Sequence, residues 1–280
     1  MAWAIAQLAA ANIDNATQEA RWLWEAANHE TAPWATALQQ APTAAPIFDA
    51  YVAQRASGVP LAYVIGEWPF LGQSFLTPQG VLIPRPETEY WVEGVIRSIR
   101  TWSGPPQTVF DIGAGSGVIG ISIALAFPET QVVAWDIDTT AAQICRNNAT
   151  RLRAPNYDIR SADFFFDSDF WNPLLHTRPD TVVLSNPPYI SDAEFAALDP
   201  SVREYEPHIA LRGGTDGMDF YRHLLALLPP QTPLVLELGY LQGKALLDLA
   251  GTAGFFRPQI KPDLSGKDRA LVANWPTAFD

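Results

Sequence analysis

The sequence predicts an α/β fold, a mostly parallel sheet with one antiparallel strand, behind a small helical N-terminal domain. Three observations predict it. From Thr108 onward, short apolar runs of strand length alternate with helical segments, the pattern of a parallel sheet covered by helices. Between Phe256 and Trp275 the chain closes on two strand-like runs with Ser265-Gly-Lys-Asp268 as their turn, which sets one strand antiparallel to the rest. The first sixty or so residues instead carry apolar side chains at helical spacing.

Taken in order, Asn15 and Gln18 suit a helix start, and Ala20, Leu23, Trp24 and Ala27 follow at helical spacing. A second helix is predicted from Pro46 through Tyr51 and Arg55 to a stop at Gly58. These segments make a helical domain over 1–60 whose tryptophans are expected in its core. Residues 61–82 mix β-formers with glycine and proline and read as a hairpin linker, and a larger domain spans 83–280. It begins with IPRPETE, Ile83 to Glu89: Pro86 suits a first helical turn, and Glu87 and Glu89 suit the positive end of the helix dipole. Val109–Ile112, Gln131–Ala134, the run ending at Asp163, Val182–Ser185 and Pro233–Gly239 are the candidate strands.

The 280 residues carry a formal charge of −12, which opposes direct nucleic-acid binding, since neutralising phosphates needs clustered Lys and Arg. One cysteine, Cys145, excludes an internal disulfide and a cysteine-based zinc site, and reads as a core residue. The histidines His29, His176, His208 and His223 stand far apart, without metal-ligand spacing, so no metal is expected. The N-terminus lacks a basic n-region and is broken by Gln7, Asn12 and Asp14. Neither a signal peptide nor a membrane span is indicated, and a soluble cytoplasmic protein is expected.

Two stretches carry chemistry. The strand ending at Ile112 runs into Gly113-Ala114-Gly115-Ser116-Gly117 and then a buried helix, which brings bare backbone to a ligand at a helix N-terminus. Gly115, Gly117 and Gly120 match the dinucleotide fingerprint, so an NAD-dependent dehydrogenase enters as one reading. Read with Asp111, the same loop resembles the S-adenosylmethionine (SAM) loop of the Rossmann-like methyltransferases, with Asp136 placed as the acid for a ribose diol. The second stretch is Asn186-Pro187-Pro188-Tyr189, a stiff polar tip after an apolar strand. Alone it is equally a proline-terminated turn. Together with the glycine loop it resembles the motif of methyltransferases that act on planar amide or amino nitrogens, for which a dehydrogenase has no evident use. An amide nitrogen is a poor nucleophile, so such a site must hold it in line with the methyl-sulfonium bond. Donation of its two N–H bonds to the Asn186 side-chain oxygen and the Pro187 carbonyl would do so, with Tyr189 packed on the planar group and Pro188 stiffening the loop.

IPRPETE, DIGAGSG, NPPYI, EPHIALRGGTDGMDFYR, LELGYLQG and DLSGKDR, in this order after a helical domain, resemble the PrmC/HemK family of SAM-dependent N5-glutamine methyltransferases, which modify the GGQ glutamine of peptide chain release factors. The resemblance implies a class I SAM-dependent methyltransferase sheet, SAM as methyl donor with S-adenosylhomocysteine as product, and release factors as partners. By position it gives Gly113, Ala114, Gly115, Ser116 and Gly117 to the SAM loop, with Asp111 steadying that loop or facing the methionine amine through water. Asp136 goes to the ribose, and Asp163 and Phe164 to the adenine edge and face. Asn186, Pro187, Pro188 and Tyr189 bind the substrate glutamine, with Asn186 also beside the cofactor. The chain departs from the family at Phe164, where tryptophan occurs, and at Ala114, where threonine or cysteine is common. Glu206 to Gly217 reads equally as a cover for the site or as a structural loop. Two other functions remain in view: N6-adenine methylation of DNA or RNA, which uses the same geometry on a flipped base, and a catalytically silent SAM-binding adaptor.

Overall fold

A computed structural model describes residues 1–28, 46–168, 171–172 and 180–277. The N-terminal part is α1 (Ala2–Ala10), α2 (Ala16–Asn28), α3 (Pro46–Ala56) and α4 (Leu61–Ile65). Ala4 and Leu8, Ala20 and Leu23, Phe48 and Val52, and Leu61 and Val64 bury one stripe from each helix into a common core, as amphipathic spacing requires. Trp24 meets the Phe48 ring edge-on at 5.2 Å within that core. Trp3 and Trp22, however, are 49% and 42% exposed, because they fall on the far side of their helices, so only part of the expected tryptophan core forms. Trp34, His29 and His176 lie outside the described residues.

Of the predicted linker, Leu61–Ile65 is helical and packs with the N-terminal core, and only β1 (Glu67–Phe70) and β2 (Gln73–Leu76) form the hairpin. Phe70 and Phe75 bury in the core of the following domain against Trp91, so the hairpin is packed structure. The helix predicted at IPRPETE is α5 (Pro86–Ile99), with Arg85 as its extended N-cap and Pro86 in the first turn. Glu89 bonds the Leu71 amide at the hairpin tip, 2.7 Å away.

The larger domain follows as β3 (Thr108–Ile112), α6 (Val118–Ala126), β4 (Gln131–Asp136), α7 (Thr139–Arg151), β5 (Tyr157–Ser161) and β6 (Thr181–Ser185). Three short helices come next, α8 (Asp192–Ala196), α9 (Pro200–Tyr205) and α10 (His208–Leu211), then α11 (Asp219–Leu227), β7 (Leu234–Glu237), α12 (Gly243–Thr252), β8 (Gln259–Pro262) and β9 (Asp268–Ala273). The strand order is β5-β4-β3-β6-β7-β9-β8. All pairings from β5 to β7 are parallel, and β9 is antiparallel to both neighbours, the predicted mostly parallel sheet with one reversed strand. Alternate strand residues feed two cores: Val109, Val132, Val182 and Val235 on one face, Phe110, Val133, Val183 and Leu236 on the other. Cys145 is buried, with Sγ 2.9 Å from the Tyr157 hydroxyl. Among the described residues, no helix is long and apolar enough to cross a membrane.

One polar side chain ties the hairpin to the glycine loop. Asn148 of α7 is fully buried, accepts from the Leu76 amide at 2.7 Å, and donates to the carbonyls of Leu76 at 3.0 Å and Ser116 at 2.8 Å. Truncation leaves one buried and two half-buried backbone groups without this partner, so Asn148→Ala is expected to cost about 2–4 kcal/mol, measured as a lowered urea midpoint at unchanged slope.

Candidate active site

The site is built where strand order reverses. β3 runs between β4 and β6, with Ile112 paired to both Trp135 and Ser185, and the Ser185 hydroxyl donates to the Ile112 carbonyl at 2.6 Å. The glycine loop after β3 and the Asn-Pro-Pro-Tyr tip after β6 therefore leave neighbouring strands side by side, at the switch point where open α/β sheets bind ligands. A cavity of about 270 Å³ opens there. Its wall includes Gly113 to Ser116, Asp136, Asp163, Phe164, Asn186 and Pro188. Asp111, Gly117, Pro187 and Tyr189 are not part of that wall.

Gly113, Gly115 and Gly117 all take positive φ (75°, 57° and 85°), which winds the loop tightly and brings its backbone close to the cavity. The Gly113 and Ala114 amides donate to the Trp135 carbonyl, at 2.9 and 3.0 Å. The Gly115 amide donates to Asp136 Oδ2 at 2.8 Å, and the Asp138 amide to Asp136 Oδ1 at 2.9 Å. Each Asp136 oxygen thus keeps a free lone-pair direction, which suits a vicinal diol. Burial pushes the Asp136 carboxyl above its usual range, against the pull of these two amides. Asp163 caps the 3₁₀ turn Phe164–Phe166 through Oδ1, 2.9 Å from the Phe165 amide. The Phe164 ring stacks on Trp171 at 4.9 Å and meets Trp135 edge-on at 5.2 Å. It is only 3% exposed, so most of its surface serves the core. A nucleoside with a charged tail fits this arrangement: bare backbone, an acid with spare lone pairs, and apolar walls from Ile112, Ile119 and Phe165.

The polar tip is held from behind. Asn186 Nδ2 donates to Thr88 Oγ1 at 3.2 Å, and the Tyr189 hydroxyl donates to Glu237 Oε1 at 3.3 Å. Gln242 Nε2 donates to the carbonyls of Tyr189 at 2.9 Å and Gly217 at 3.2 Å, while its Oε1 accepts from the Gly239 amide at 2.9 Å. At Gly217 a side chain would run into the Tyr189 carbonyl, so the second half of the EPHIALRGGTDG segment packs against the tip as bare backbone. Its first half covers the cavity. Glu206 is buried, pairs with Arg85 at 2.5 Å and accepts from the Ile83 amide at 3.2 Å. That clasp sets Pro207, Ile209 and Ala210 on the cavity wall. The segment thus lines the cavity with its first half and packs against the tip with its second.

Thr88, Glu237 and Gln242 escape the sequence reading because their partners are remote in the chain. One signal was present for Glu237: an acid inside the apolar run Pro233 to Leu238. Among the described residues, no group of three or more His, Cys, Asp or Glu side chains could hold a metal ion.

Asp111 lies under the loop. It is fully buried, its Oδ2 accepts from the Gly120 amide at 2.9 Å, and its Oδ1 has no partner. Burial, reinforced by the Asp136 charge, pushes its carboxyl up to about 7. The folded state then holds a proton that the unfolded chain releases near pH 4, so this contribution to stability is full below pH ~4 and is lost as pH rises to about 7. Asp111→Asn is expected to flatten that dependence and to raise the thermal midpoint more at pH 8 than at pH 5, as a calorimetric pH series would measure.

Comparison with known proteins shows the family. Residues 1–66 match the PrmC N-terminal domain model, and residues 99–200 match the methyltransferase small domain model. The chain is 37% identical over 283 residues to the release factor glutamine methyltransferase of Cereibacter sphaeroides, covering 98% of this chain and 97% of that protein. It is 37% identical over 278 residues to the one from Moorella thermoacetica, covering 96% and 95%. Among solved structures, the hMettl16 catalytic domain in complex with the MAT2A 3′UTR hairpin 6 superposes with a TM-score of 0.56 at 15% identity, over 82% of this chain and 84% of that one. That likeness concerns the fold alone. With both domains matched and close relatives aligned end to end, this chain is a SAM-dependent methyltransferase and belongs to the release factor glutamine methyltransferase family.

Proposed function

We propose that the protein transfers the methyl group of SAM to the side-chain amide nitrogen (N5) of the glutamine in the GGQ motif of a peptide chain release factor. The observation that carries this reading is one cavity whose wall joins Gly113 to Ser116 and Asp136 to Asn186 and Pro188. When bound there, SAM supplies an electrophilic methyl group on a sulfonium and leaves as S-adenosylhomocysteine. The residues fit that cofactor: Asp136 would hold the ribose diol, the glycine loop the methionine end, and Asp163, with Oδ2 free of its capping bond, the adenine amine beside Phe164. Asp111 acts by holding the loop onto the start of α6 through Gly120.

Asn186 Oδ1 and the Pro187 carbonyl accept the two N–H bonds of the glutamine amide. That fixes the nitrogen and keeps its electron density directed at the methyl group. Transfer replaces one N–H by N–CH₃, and the proton leaves to water, so no strong base is needed. Pro188 and the half-buried Tyr189 give the tip its stiffness and an apolar flank for the planar amide.

The domain division is part of the same reading. The helical domain docks the body of the release factor, the hairpin couples it to the catalytic domain, and the exposed Trp3 and Trp22 are the anchors such a surface needs. Neither nucleic acid nor membrane takes part directly, consistent with the charge of −12, and the place of action is the cytoplasm.

Labelled SAM with a release factor, its GGQ-to-GGA variant or DNA tests the assignment: label is expected on the unmodified factor only. Equal label on the GGA variant would sink it. Asn186→Ala is expected to lower transfer by about 100-fold or more with SAM affinity largely intact in calorimetry. Trp3→Asp with Trp22→Asp is expected to raise KM for the intact factor roughly tenfold, while a short GGQ peptide is methylated as before.

A further inference from the structure

An asparagine amide is nearly symmetric in shape, so which end faces a ligand is decided by its hydrogen-bond partners. For Asn186 that choice decides everything, since only Oδ1 can accept an N–H from a substrate amide. Its partner is Thr88 Oγ1, at 3.2 Å from Nδ2. A threonine hydroxyl has a single proton to give, and Thr88 lies 2.6 Å from Glu237 Oε2.

Glu237 sits at the end of β7, 1% exposed. Every side chain bonded to its carboxylate is a donor. The Trp91 indole, which can only donate, reaches Oε2 at 2.8 Å, and the Tyr189 hydroxyl reaches Oε1 at 3.3 Å. The remaining titratable or charged groups that face it are Tyr221, whose hydroxyl donates to the Glu237 backbone carbonyl at 2.7 Å, and Arg269 on β9; burial pushes the Glu237 carboxyl above its usual range, against the pull of the Thr88 and Trp91 donors, the Arg269 charge and Tyr189. Oε2 already accepts from the Trp91 indole, so it is an acceptor, and the Thr88 hydroxyl donates its hydrogen bond to it. Thr88 can then only accept from Asn186, through Nδ2. The reverse order, with Thr88 donating to a flipped Asn186, would leave two unprotonated oxygens 2.6 Å apart in a buried site.

We propose that Glu237 and Thr88 are positioning residues that set the direction of this chain, so that Asn186 presents Oδ1 to the glutamine amide and keeps Nδ2 turned away. This rests on the methyl-transfer reading above. It also gives Thr88, inside IPRPETE and at the cavity wall, and Glu237, inside LELG and behind that wall, a role in orienting Asn186.

The test uses the full chain with Thr88→Val, which keeps the shape and removes the hydroxyl, and Thr88→Ser, which restores it. In Thr88→Val, kcat on the release factor is expected to fall about 10- to 100-fold, the loss of one charge-assisted orienting bond, with SAM affinity within about twofold. Thr88→Ser is expected to recover most of kcat. In ¹⁵N spectra the Asn186 side-chain amide pair, assigned by its loss in Asn186→Ala, is expected to shift in Thr88→Val and to return in Thr88→Ser. A Thr88→Val protein with unchanged kcat, or with an unmoved Asn186 amide signal and only a lowered thermal midpoint, overturns the proposal. If the unmodified protein labels no release factor, the methyl-transfer reading falls, and the amide signal alone decides the orientation of Asn186.

Discussion

The parallel pairing of β3 with β6, Ile112 opposite Ser185, is the constraint on which the rest of the site depends. It makes two loops that lie some seventy residues apart in the chain leave the sheet as neighbours, at the place where the strand order turns back. A shift of one residue in that register would move alternate side chains to the other face. Val109 and Val182 would exchange cores with Phe110 and Val183, so the two packed layers on either side of the sheet enforce the alignment that chemistry uses.

Around that alignment, each family motif has a physical task. The glycine loop brings its backbone to the cavity, and Asp136 ties it to the end of β4. IPRPETE divides its polar residues among three directions: Arg85 to Glu206, Thr88 to Glu237, Glu89 to the hairpin. DLSGKDR forms a self-contained turn in which Asp263 accepts from Ser265, Lys267 and Arg269, and these donors hold its carboxyl well below the usual range. The turn fixes Arg269, a cation whose charge acts on the buried Glu237 and on the half-buried Tyr189. A buried carboxylate without a partner is strongly destabilising, whereas one with three donors is tolerated. Thr88, Trp91 and Tyr189 are those donors for Glu237, so the same bonds that make the charge acceptable also lock the tip.

Much of this was legible in the sequence because it is local. Strand alternation, the glycine turn, Pro86 in a first helical turn and the stiff Asn-Pro-Pro-Tyr tip are each written within a dozen residues, and they predicted the sheet, its reversed strand and the helical N-terminal part. The tryptophans were harder. Trp3, Trp22 and Trp24 share a composition but not a face, and facing depends on which helices pack together.

What the sequence determined by itself was the order of elements, the chemistry of the two loops and, through shared motifs, the family. What only the tertiary structure decided was contact across the chain. Thr88 meets Glu237 across 149 residues, Ile83 meets Glu206 across 123, and Gln242 reaches Tyr189 across 53. No periodicity encodes such pairs. They arise because buried donors and acceptors must find partners once water is excluded, and the folded chain alone determines which groups are within reach.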